Sequence, residues 1–93
     1  MVIPMEIWVE YHAAEWMPTG EVLVTMTDNH NVDCGFTQFL VQSPKTQLKK
    51  GMVKMVYLAT NGAGDVWVAA PDGARILAPL EDVSYEEQVH DDL

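Results

Sequence analysis

Alternation of apolar and polar residues at a period of two constrains this chain more than any other feature. In "MEIWVEYH", Met5, Ile7, Val9 and Tyr11 alternate with Glu6, Trp8, Glu10 and His12. Successive side chains of a strand leave on opposite faces, so this run predicts a half-buried strand. Trp8 is its one anomaly, a large ring on the face assigned to solvent. "EVLVTMT" repeats the pattern with Val22, Val24 and Met26 on one face, and "CGFTQFLVQ" continues it until Ser43 and Pro44. Nowhere is a helical period sustained over about ten residues.

Turn chemistry divides the runs. Asp and Asn bond their own backbone and tolerate left-handed conformations, so "DNHNVD" reads as a hairpin loop between two strands. "MVKMVYLAT" is a third strand, apolar enough to be covered on both faces. "NGAG" turns the chain, "DVWVAA" returns it with Trp67 assigned to the core, "PDG" turns it again and "ARILAPL" is a short last strand. "YHAAEWM" reads as a connection with a turn or two of helix, closed by Pro18 and Gly20. Ser84 and Glu87 have capping-box spacing ahead of "YEEQVHDDL", which predicts a short C-terminal helix or extension.

Ninety-three residues, 48% of them apolar, suffice for one core and one domain over 1–93. The expected fold is mostly β: a small five- or six-stranded barrel or roll. Its closing order (strong strand, NGAG, strand, PDG, short strand, then "PLEDV") resembles the end of SH3-like barrels, where a tight hairpin precedes a short helical turn and a last strand. That resemblance concerns fold, and such folds host many unrelated functions.

Charge narrows the partners. Fourteen acids against five bases give a net charge of −9, and the signs are segregated. Residues 1–44 hold no Lys or Arg, whereas Lys45, Lys49, Lys50 and Lys54 are four of the five cations. This balance argues against direct binding to nucleic acid or to an anionic membrane, and fits a basic protein surface. The lysine stretch reads as a solvated loop followed by an edge-blocking lysine. It could also face the acidic tail of a neighbouring copy in a homo-oligomer. No apolar run approaches the roughly 18 residues of a membrane span. The start lacks a signal-peptide pattern, and a single cysteine fits a reducing compartment, so a cytoplasmic location is expected.

Catalytic and metal chemistry find little support. "TDNHNVDCG" places Asp28, His30, Asp33 and Cys34 close together, but zinc wants paired Cys or His ligands, and an EF-hand wants a central Gly and a terminal Glu that are missing. Cys34 sits among acids rather than the cations that activate a thiolate, and is expected to be a partly buried strand residue. No cofactor, metal or catalytic residue is assigned. The interface candidates are Glu6, Trp8 and Glu10 on the outward face of the first strand, with Glu15 and Trp16 in the connection, because Trp anchors interfaces and carboxylates steer cations. The expectation is a non-catalytic acidic protein-binding module, one version being an inhibitor that fills a nucleic-acid-binding groove of its partner. A homo-oligomeric β module with a small-ligand pocket is the alternative, and a small enzyme the third reading.

Overall fold

The computed structural model describes residues 5–84 of the chain. The first alternating run forms β1 (Glu6–Glu10), with Ile7 and Val9 fully buried on one face. β2 (Ala13–Trp16), β3 (Val22–Thr27) and β4 (Phe36–Val41) form an antiparallel three-stranded sheet in that order. The register sets Val22 opposite Val41 and Val24 opposite Phe39, which gathers the apolar stripe of each strand on one face. A single helical turn, α1 (Pro44–Gln47), and the two-residue β5 (Leu48–Lys49) carry the chain back to the first sheet.

β6 (Met52–Thr60) is the long strand of that sheet. Its first half pairs with β1 and its second half with β7 (Asp65–Ala69), and the register slips between Tyr57 and Ala59. Such a slip bends a strand, and here it leaves Leu58 exposed. β7 pairs with β8 (Arg75–Pro79) across the "PDG" turn, where Gly73 takes a φ of 93° that a side chain would strain. A 3-10 turn (Leu80–Asp82) then leads into β9 (Val83–Ser84), which returns to β1. The strand order is β8-β7-β6-β1-β9, with β5 beside β6.

One core lies between the sheets. Ile7 and Val9 meet Val22, Val24 and Met26 from the second sheet, with Val53, Met55, Val66, Val68 and Ile76 completing the contact. Each such side chain contributes about 1.5–3 kcal/mol of apolar burial. The mostly β expectation holds, as two antiparallel sheets. Among the described residues no helix is long and apolar enough to cross a membrane. The helix expected after Ser84 lies outside the described residues.

Several local expectations are corrected. "AAEW" is not a helical connection but the strand β2, because pairing with β3 overrides the helix preference of Ala and Glu. Residues 44–49 carry a helical turn and a strand rather than a loop. Lys54 blocks no edge, since β6 lies between β7 and β1. Trp67 is half-buried, because Val66 and Val68 take the inward positions. Cys34 is an exposed loop residue, not part of β4, with its Sγ donating to the Phe36 carbonyl at 3.4 Å.

Candidate functional site

The loop at residues 28–35 is a hairpin, as the turn residues imply. Asp28 N–H donates to Gly35 O at 2.8 Å, and Gly35 closes the loop with a φ of 78°. Asn31 Oδ1 accepts from the N–H of Asp33 and Cys34, and its amide donates to Phe36 O. Asp28 does more than turn the chain. It is the one buried charged side chain among the described residues, and its Oδ1 accepts from His30 N–H at 3.0 Å and from Leu77 N–H at 3.1 Å. Asn29 N–H donates to Leu77 O at 2.8 Å, and its side chain reaches Asp65 at 3.2 Å. The His30 ring meets the edge of Trp67 at 5.2 Å. The hairpin tip is therefore fastened to the outer edge of β8. Of the residues that looked like ligands, Asp28 and His30 serve this joint, while the Cys34 thiol bonds within the hairpin.

Trp8 departs from its expected exposure. Alternation does turn it away from Ile7 and Val9, yet it is only 9% exposed. Its register partner on β6 is Lys54, and Lys49 arrives from β5. The Lys49 ammonium stands 4.4 Å from the ring centroid and that of Lys54 5.6 Å, while Lys54 also reaches Glu6 at 3.8 Å. Lysine stems cover apolar rings readily while their heads stay wet. Lysines of the same chain therefore take the place a basic partner was expected to take over Trp8.

The other candidates separate. Glu10 ends β1 and lies close enough to Asp82, on the 3-10 turn, to act on it. Burial raises the pKa of Asp82 above the ordinary carboxylate value, and the charges of Glu10 and Glu81 raise it further. The three carboxylates form an acidic corner where β1 meets the last turn. Glu15 is exposed on β2, opposite Leu23. Trp16, on the same strand, is 68% exposed. It overhangs a groove of about 270 Å³ between β2 and the α1–β5 segment.

A wider cleft of about 580 Å³ is lined by His12, Thr25, Cys34, Phe36 and Gln38. The His12 ring packs at a tilt against Phe36, centroids 5.2 Å apart, and the Cys34 thiol donates to the Phe36 carbonyl at 3.4 Å. Sequence reasoning missed the Asp28 joint and the Trp16 groove. It did name Trp16 itself, beside Glu15, as an interface candidate. Comparison with protein-family models, with curated proteins and with solved structures finds no match to this chain.

Proposed function

We propose that the chain is a non-catalytic protein-binding module of SH3-like architecture that engages a basic surface of a partner protein. The architectural part draws support from the strand order β8-β7-β6-β1-β9 and from the tight hairpin, 3-10 turn and short last strand that follow one another from Asp65 to Ser84. On this reading β2, β3 and β4 are an elaboration inserted between β1 and β6.

The observation that carries the functional part is the acidic corner. Glu10 and Glu81 are exposed, and both place negative charge near the half-buried Asp82. Like charges held together raise the free energy of the isolated protein, and a Lys or Arg from a partner relieves that repulsion as it docks. A net charge of −9 adds long-range attraction to the same partner. Glu15 is a separate exposed carboxylate on β2, whereas Glu6 is tied to Lys54 and Trp8 serves the fold.

Cross-linking in the source cell tests this. The wild-type protein and a variant carrying Glu10→Gln, Glu81→Gln and Asp82→Asn are compared, and the captured proteins are identified by mass spectrometry. The expected result is a basic protein captured by the wild type and lost from the variant. Capture that ignores the three substitutions refutes the proposal.

A further inference from the structure

We infer that the groove beneath Trp16 is a docking site for an extended acidic peptide segment, which adds as a strand to the open edge of β2. Its lining residues differ from those of the acidic corner, and its charge is opposite in sign.

The edge comes first. Met17 N–H donates to Glu21 O at 2.8 Å. Antiparallel pairing alternates, so Ala13 and Glu15 also bond toward β3, while the N–H and C=O of Ala14 and Trp16 point away from it. Among the described residues β2 has no second neighbour. Natural edge strands are guarded by lysine, proline or a bulge at the pairing positions, and "AAEW" contains neither lysine nor proline. All four of its residues are exposed. Its shortness and the single charge of Glu15 are its protection within the strand, and these deter broad aggregation better than they deter a single short peptide held by the lysines of the groove.

The groove supplies the side-chain half of the recognition. Ala14 and Trp16 form one wall, Tyr11 and Leu48 the apolar floor, and Lys45 and Lys50 the opposite rim. Lys49 lies on the same rim with its ammonium over Trp8. Three of the five cations of a protein with a net charge of −9 thus border one groove. A basic peptide would be repelled there. An acidic one gains two exposed lysines, an aromatic wall and a row of open backbone groups. Strand addition uses those parts: main-chain hydrogen bonds give affinity and flanking pockets select alternate side chains.

The occupant is therefore a segment of alternating acidic and apolar residues in extended conformation. The probe is a fluorescein-labelled heptapeptide of alternating Glu and Val, read by fluorescence anisotropy against the full chain. Controls replace Glu by Lys, or the central residue by Pro, which removes a backbone donor. The Glu peptide is expected to bind saturably, and about tenfold more weakly when salt rises from about 20 mM to about 500 mM. The Lys peptide and the Pro peptide should bind at least about tenfold more weakly than the Glu peptide. Trp16→Ala should weaken binding about 30-fold, as for a central aromatic anchor. Lys45→Glu with Lys50→Glu, both at exposed positions, should reverse the preference between the two charges while leaving the melting temperature unchanged.

Absence of saturable binding at about 1 mM peptide and low salt overturns the inference. So does equal binding of the Glu and Lys peptides to a protein carrying Glu10→Gln, Glu81→Gln and Asp82→Asn, in which the acidic corner no longer attracts the Lys peptide, or Glu-peptide binding indifferent to the two lysine substitutions. Each of these failures leaves the acidic-corner proposal intact, because each is read either from the acidic peptide, which that corner repels, or with the corner neutralised.

Discussion

Replacing Asp28 by alanine tests whether the hairpin tip is a joint or merely a turn. The wild-type carboxylate accepts from His30 N–H at 3.0 Å and from Leu77 N–H at 3.1 Å. Alanine removes both acceptors. His30 is exposed, so water can take over its donor at a cost of about 0.5 kcal/mol. Leu77 is only 8% exposed, and its N–H on the outer edge of β8 then has no partner. An orphaned buried donor costs about 1–3 kcal/mol. The sum is about 1.5–3.5 kcal/mol, which for a domain of this size lowers Tm by about 6–28 °C. Asp28→Asn keeps an oxygen in place and loses only the charge assistance, so it should cost about 1 kcal/mol or less. Urea unfolding followed by far-UV circular dichroism measures both. An alanine variant within about 0.5 kcal/mol of wild type would mean that the tip does not hold β8, and the account of the joint would fall. An asparagine variant as damaged as alanine would show that acceptor geometry is not what matters.

Two further outcomes follow from the same geometry. Trp8→Ala should cost about 3 kcal/mol in urea unfolding, because the ring is covered by the chain's own lysines, and a cost within about 0.5 kcal/mol would return Trp8 to the surface. Asp82 has a raised folded-state pKa, so its ionisation opposes folding: that cost is full above the folded pKa, fades as pH falls through it, and is gone below the ordinary Asp value of 3.8. Asp82→Asn should therefore stabilise the protein at pH 7 by under about 1 kcal/mol, and the gain should vanish by about pH 3. A gain that persists in acid would place its origin elsewhere.

What the sequence made legible was whatever depends on neighbours along the chain. Val22, Val24 and Met26 face inward as alternation requires, and "DNHNVD", "NGAG" and "PDG" turn where Asn, Asp and Gly make turning cheap. What stayed hidden depends on distant partners. Asp28 finds its second donor 49 residues away, so nothing in the loop separates a buried acceptor from an ordinary turn former. The polarity of Trp8 was read correctly and its exposure wrongly, because Lys49 reaches it only through the path taken by residues 44–49. β2 is a strand only because β3 presents an edge to it. Cys34 lies before Gly35, whose positive φ closes the loop, and so it never enters β4.

The lysine cluster shows why a net charge describes this surface poorly. Four cations adjacent in sequence divide between two tasks once the chain folds. Lys49 and Lys54 hold their ammonium groups over the Trp8 ring, where its negative face attracts them. Lys45 and Lys50 remain on the groove beside Trp16. The acidic excess is correspondingly local, and Glu10, Glu81 and Asp82 concentrate part of it at another corner. Screening over a Debye length of about 8 Å at physiological salt leaves each exposed charge acting chiefly on what docks directly against it. The two surfaces therefore carry opposite signatures. Neutralising the corner should slow association with a basic partner and leave acidic peptides unaffected, while reversing Lys45 and Lys50 should abolish acidic-peptide binding and leave the basic partner bound. A single substitution set that abolished both would mean that one surface performs both tasks, and the division argued from the lysines would be wrong.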